Sequence, residues 1–243
     1  MSGTREENLF MAKLAEHAER YEDMIEYMKR IAGMGGDLTV DERNLFSVAF
    51  KNSVGARRQS WRAVRGLEKQ AEHSPEVLEV IKDYRKKVGS ELNARCADVL
   101  AILAKDLIPS SGDTEAKVFY LKMKGDYHRY MAEFADGQDH SRFAQEAQEA
   151  YQGATEAAAS MPACHPVRLG LALNFSVFFY EVLASPEQAC VHAKAAYEAA
   201  LTGEASSEAE QILQLLNDNL FLWTKAEDGK TGVDQDGTAV EEF

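Results

Sequence analysis

Proline is scarce in this chain and cysteine scarcer: 243 residues hold five prolines and three cysteines. No Pro/Gly/Ser-rich stretch divides the sequence, so it reads as a single domain over 1–223. Cys96, Cys164 and Cys190 stand far apart and are odd in number. They fit neither a disulfide framework nor a CxxC metal site and are expected as thiols of a reducing cytosol. The six histidines are scattered, with no HExxH, so no metal or other cofactor is expected. Positive charge is in deficit, 27 basic against 40 acidic residues for a net −13. That balance argues against a nucleic-acid surface, which needs a basic footprint. No run of 18 apolar residues occurs, so no membrane insertion is expected. The charged, amphipathic start "MSGTREENLFMAKLAEHAERYEDM" lacks a signal-peptide core, and Gly does not follow Met1 as myristoylation requires.

The few prolines mark helix boundaries. Ser74-Pro75-Glu76, Ser185-Pro186-Glu187 and His165-Pro166 read as N-caps followed by Pro at the first helical position, where the missing N–H costs nothing. Pro109 is expected to stop the apolar run "VLAILAKDLI", and Pro162 to lie in a connection. Capping boxes are expected at Thr39/Glu42, Ser185/Gln188 and Ser207/Glu210, and the glycines of "GMGG" (33–36) to end a helix. Between these marks apolar residues recur at three and four, not at two. About nine helices follow, two of them near thirty residues long. The most β-like stretch, "LNFSVFFYEVL", is read by its flanks and length as a buried helix. From Thr224 onward six carboxylates face two lysines, and 224–243 is expected to be a flexible acidic tail that competes weakly for any basic groove.

Against this acidic background some basic residues gather. Lys51 and Arg58 are seven apart, as are Lys122 and Arg129, with Tyr130 next door; each pair projects from one helix face. The plainer reading of such a pair is a solvated helix surface. Two further helices mix an apolar stripe with one Asn: Leu173, Asn174, Val177 and Glu181 in the first, Ile212, Leu215, Asn219 and Leu222 in the second. A core stripe with one satisfied polar residue would look the same. An Asn so placed can also offer both C=O and N–H to an extended peptide.

The stretches "RNLFSVAFKNSVGARRQSWR", "KVFYLKMKGDYHRY", "HPVRLGLALNFSVFFYE" and "LLNDNLFLWT" resemble the 14-3-3 family, in family order, over about Glu7 to Thr224. The resemblance implies an all-α fold of nine antiparallel helices per subunit and a cup-shaped dimer with a peptide groove in each subunit. It also implies an adaptor function: docking phosphoserine or phosphothreonine motifs of client proteins. By motif position Lys51, Arg58, Arg129 and Tyr130 would hold the phosphate. Asn174 and Asn219 would hold the peptide main chain, with Leu173, Val177, Leu215 and Leu222 as the apolar wall. Glu181, Trp223 and Lys122 match further groove positions. Leu14, Ala18, Ser60, Val64 and Val88 would pack at the dimer contact, with Arg20 and Asp23 facing Glu91 and Lys87, and Tyr84 near Asp23. The implied partners are phosphorylated clients and a second copy or a paralogue, in the cytoplasm and nucleus.

The sequence departs from the family pattern in three places. His128 replaces the tyrosine usual before Arg-Tyr, and little effect on the pocket is expected. Asn217 stands where many members have arginine, and the segment at 202–211 is short. A helical-repeat scaffold of the TPR type, binding unphosphorylated peptides, is the alternative, but no 34-residue self-similarity appears. No nucleophile with its base, carboxylate pair or metal set is legible, so no catalytic residue and no enzyme is expected.

Overall fold

The structure, a computed structural model, describes residues 3–70 and 74–227. Among the described residues it is helical throughout and has no strand. The nine long helices are α1 (Arg5–His17), α2 (Tyr21–Gly33), α3 (Val40–Glu68), α4 (Pro75–Ile102), α5 (Thr114–Phe134), α6 (Gly137–Ala157), α7 (Pro166–Glu181), α8 (Pro186–Ala200) and α9 (Ser207–Glu227). α3 and α4 have 29 and 28 residues. The helices group into two compact units divided between Gly112 and Asp113, whereas the sequence carries no linker there.

The caps explain most of the boundaries. Thr39 and Glu42 exchange the reciprocal bonds of a capping box, and Thr4 and Glu7 form a second one that the sequence reading overlooked. Ser74 accepts from the Val77 N–H and His165 from that of Val167, each ahead of its proline. Gly35 and Gly36 take φ of +77° and +78°, the left-handed region that lets the chain turn after α2.

Four expectations need correction. Ser185 is the N-cap of α8, but its side chain makes no capping bond; its φ of −118° and ψ of 77° take the backbone out of the extended geometry a cap needs. At α9 the cap is Ser206, whose Oγ accepts from the Ala209 N–H, so the expected box at Ser207 lies one residue late. Pro109 does not stop its helix. The chain widens into a π-turn over Leu103–Leu107, with the Ile108 N–H bonding to the Leu103 carbonyl, and runs on to Ser110. Widening relieves the clash a proline ring makes with the carbonyl four residues back. Finally, α9 extends through Glu227, so 224–227 are not tail. The Thr224 hydroxyl donates to the Leu220 carbonyl and Lys225 sits 3.9 Å from the Phe221 ring centroid. The rest of the expected tail lies outside the described residues.

In the first unit α2 buries Met24, Ile25, Met28 and Ile31 completely, beside Phe46 and Phe50 of α3 and Leu92, Cys96 and Val99 of α4. Cys96 serves there as a small apolar residue, while Cys164 and Cys190 are half-buried thiols. One carboxylate ties the three helices together. Glu22 of α2 accepts from Ser53 at 2.6 Å and Arg57 at 2.8 Å on α3, and lies 2.8 Å from Arg95 on α4.

In the second unit α5 is buried on nearly every side, so its charged residues must find partners inside the protein. Its widest packing is against α6, whose inner face carries Ala144, Ala147, Ala150 and Ala154 and lets the axes come close. Contact is tightest at Gly125, where a Cβ would lie 2.7 Å from the Tyr151 ring. The ring is fixed from the other side by stacking on Phe175 of α7 at 5.1 Å. α7 is mostly apolar and buries Leu169 to Leu171 and Leu173 to Phe179, as the helical reading of "LNFSVFFYEVL" requires.

Gly125→Ala should therefore lower stability by about 1–3 kcal/mol despite the better helix propensity of Ala, because a packed ring has to move. Gly153→Ala on α6, with open space around the new methyl, should gain up to about 1 kcal/mol. Urea unfolding midpoints of the two variants test the contrast; equal shifts would show that Gly125 is not a steric requirement.

Candidate functional site

In the second unit the site is built around Asp126. Lys122, Asp126 and Arg129 are spaced by four and three and so share one stripe of α5. The stripe faces inward: Lys122 is 7% exposed, Asp126 5% and Arg129 0%. Lys122 Nζ donates to Asp126 Oδ2 at 3.0 Å. The other oxygen, Oδ1, accepts from the Tyr151 hydroxyl at 2.6 Å and from Asn174 Nδ2 at 2.9 Å. Arg129 Nε donates to the Tyr151 oxygen at 3.1 Å, and its Nη2 stands 3.6 Å from Asp126 Oδ1. Burial, opposed by the Arg129 charge, raises the Tyr151 phenol well above its usual pKa. The hydroxyl therefore keeps its proton and can donate to the carboxylate while accepting from Arg129.

Around this centre Arg129 lies 3.7 Å from Glu133 and 3.6 Å from Glu181, and its guanidinium carbon sits 4.7 Å from the Tyr130 ring centroid. Tyr130 is held edge-on by Tyr127 at 5.4 Å. Leu173, Asn174 and Val177 are fully buried on α7. On α9 Asn219 is buried, Leu215 half-buried and Leu222 39% exposed. The Nδ2 of Asn219 is buried without a hydrogen-bond partner among the described residues, an arrangement that costs about 1–3 kcal/mol unless something accepts from it. Trp223 is only 1% exposed, its ring stacked on Tyr180 at 5.0 Å, so it pins α9 to α7. Asn217 is exposed.

In the first unit Lys51 is exposed and Arg58 half-buried on α3. Burial pushes the Glu22 carboxyl up, but hydrogen bonds from Ser53 and Arg57 and the charges of Arg57 and Arg95 bring it below its usual value. Arg57 is thus engaged on the inner face of α3. Of the expected dimer positions Leu14, Ala18, Ser60, Tyr84, Lys87 and Glu91 are exposed, Val64 is half-buried and Val88 buried. Arg20 Nε bonds to Asp23 Oδ2 within the chain.

Sequence reading found Lys122, Arg129 and Asn174 but missed the group that joins them. Asp126 was legible as the carboxylate four after Lys122 and three before Arg129. Tyr151 had only an indirect signal, the glycine at 125 in mid-helix, which marks a close approach without saying of what.

The arrangement is that of an all-helical protein with buried cations gathered on one carboxylate beside an apolar stripe with asparagines. The comparisons give the family. The 14-3-3 protein model matches residues 11–224. The 14-3-3 protein epsilon of Drosophila melanogaster is 52% identical over 90% of this chain and 87% of its own length. The checkpoint signal transducer rad24 of Schizosaccharomyces pombe is 50% identical over 91% and 85%. Protein BMH2 of Saccharomyces cerevisiae is 50% identical over 92% and 86%. The chain belongs to the 14-3-3 family, a family of adaptor proteins, and the helical-repeat alternative is set aside.

His128 faces away from the Asp126 cluster, 9% exposed, with its ring 6.5 Å from Phe143 of α6. Its Nδ1 lies 3.1 Å from a Glu146 oxygen but is not aligned for a hydrogen bond. Burial, with the charges of Lys124 and Arg142, depresses its pKa from 6.5 to about 4. The folded protein therefore binds this proton less readily than the unfolded chain. Stability from this group is complete above pH 6.5 and falls as pH drops from 6.5 toward 4. Titration of the His128 imidazole by NMR should give a midpoint near 4, and His128→Phe should flatten the dependence of the urea midpoint on pH in that window. A midpoint near 6.5 would refute the assignment.

Proposed function

We propose that this protein docks phosphoserine- or phosphothreonine-containing segments of client proteins, with Lys51, Arg58, Arg129 and Tyr130 serving one phosphate. The observation that carries the reading is the fully buried Arg129, anchored through Tyr151 and Asp126 beside the buried Lys122. A phosphomonoester brings about −1.5 to −2 charges and three acceptor oxygens, and a guanidinium can meet it with two parallel N–H bonds. In the second unit three carboxylates, Asp126, Glu133 and Glu181, surround Lys122 and Arg129. A dianion there needs further positive charge, which the family pattern assigns to Lys51 and Arg58. Asn174 and Asn219 hold the peptide main chain; the buried Nδ2 of Asn219 suits a peptide carbonyl. Leu173, Val177, Leu215 and Leu222 form the apolar wall, with Lys122 and Glu181 further along the groove. Trp223 acts by holding α9.

Removing a charged hydrogen-bond partner costs about 1.5–3 kcal/mol, roughly tenfold to a hundredfold in affinity. Arg58→Ala combined with Arg129→Ala should abolish the preference for a phosphopeptide over its unphosphorylated twin, measured by calorimetric titration, while circular dichroism stays helical. A double variant that keeps the preference refutes the phosphate assignment.

The protein works as a homodimer, or a heterodimer with a paralogue, through Leu14, Ala18, Ser60, Val64, Tyr84 and Val88. Arg20 and Asp23 exchange their internal bond for Lys87 and Glu91 of a second copy. The exposure of Leu14 at 52% and Tyr84 at 55% supports this. A cytoplasmic and nuclear location goes with thiols kept reduced at Cys96, Cys164 and Cys190. Ser60 donates to the Ala56 carbonyl at 3.0 Å and is exposed. A charge there would be desolvated by a packed contact at a cost of several kcal/mol. Ser60→Glu should accordingly shift the dimer toward monomer without unfolding. Sedimentation over a dilution series decides it; an unchanged dimer constant would remove Ser60 from the interface.

A further inference from the structure

The geometry points to Asp126 and Tyr151 as positioning residues of the proposed phosphopeptide site: the carboxylate, braced by the phenol, sets the orientation of Lys122 and Asn174, and the phenol that of Arg129, before any peptide arrives. The inference rests on the phosphopeptide reading and names two residues that reading leaves unassigned.

Each bond has an orienting consequence. Arg129 Nε is tied to the Tyr151 oxygen at 3.1 Å, which fixes the plane of a guanidinium that recognises planar pairs of acceptors. Lys122 has four rotatable side-chain bonds and an ammonium with no directional fork; the 3.0 Å bond to Asp126 Oδ2 selects one rotamer and removes entropy that binding would otherwise have to remove. The Asn174 amide could face either way. An ionised carboxylate only accepts, so the 2.9 Å contact with Asp126 Oδ1 must come from the NH2 side. The Asn174 carbonyl is thereby turned away from Asp126 as an acceptor for a peptide N–H. The carboxylate thus settles Lys122 and Asn174 directly, and Arg129 through the phenol bonded to it.

Tyr151 in turn settles the carboxylate. Its ring reaches the cluster across the opening left by Gly125 and stacks on Phe175, so its hydroxyl has little freedom. A buried ion cluster is a weak source of stability compared with apolar packing of the same volume. Its return lies in orientation, the role that supporting hydrogen bonds play around any site needing sub-ångström placement.

The experiment uses the full chain and one phosphoserine peptide with its unphosphorylated twin. Tyr151→Phe deletes a hydroxyl and keeps the ring packing; Asp126→Asn is the second variant, with the carboxylate charge removed. Calorimetric titration is run from pH 5.5 to 7.5, across the second ionisation of the phosphate near pH 6, and thermal melting is recorded in parallel. The expected result is a phosphopeptide Kd weakened about fivefold to tenfold by Tyr151→Phe and more by Asp126→Asn. The rise in affinity as the phosphate becomes a dianion should also be flatter in both variants. Variants that melt lower yet bind phosphopeptide with wild-type affinity and pH profile would overturn the proposal, leaving the pair a structural one. If the wild-type protein itself shows no preference for the phosphopeptide, the phosphopeptide reading falls and this proposal with it.

Discussion

A carboxylate buried among cations is the constraint on which the second unit depends. A buried carboxylate needs partners, and those of Asp126 come from three helices. Lys122 and Arg129 come from the same helix, Tyr151 from α6 and Asn174 from α7. Satisfying that one group therefore dictates how α5, α6 and α7 approach each other. Gly125 and the alanines of α6 follow from it, since α6 must come close enough for a phenol to reach across. So does the burial of Arg129, which has no exposed surface.

The first unit solves a related problem under looser conditions. Glu22 also gathers partners from neighbouring helices, but it and its two arginines keep part of their surface in water. Solvent screens such pairs, and each contributes modestly. Glu22 holds the inner face of α3, the helix that carries Lys51 and Arg58, by Ser53 and Arg57. The Glu22 pKa is lowered and the His128 pKa is lowered, so both groups stabilise the fold above their unfolded pKa values and withdraw that support in acid.

The polar rules of the chain were legible in proportion to how local they are. Thr39, Ser74 and His165 cap as their sequences suggest, because a cap involves only three or four successive residues. The exceptions are informative. Ser185 is turned out of cap geometry, Ser206 takes the place expected of Ser207, and Pro109 is absorbed by a π-turn that no dipeptide signal announces. In each case the neighbouring packing chose between options that local propensity leaves within about 1 kcal/mol of each other.

By itself the sequence determined the class: nine amphipathic or buried helices, their order, and a family pattern that names the basic and asparagine positions. Period and punctuation suffice for this, because hydrogen bonding within a helix is local and its buried face is written every three or four residues. Only the tertiary structure decided what those positions do inside the protein. That Trp223 is spent on Tyr180, that His128 is held neutral between α5 and α6, and that Tyr151 meets Asp126 across 25 residues of chain are consequences of how faces meet. Desolvation and hydrogen-bond direction depend on what lies opposite, and a one-dimensional pattern shows a face without its neighbour.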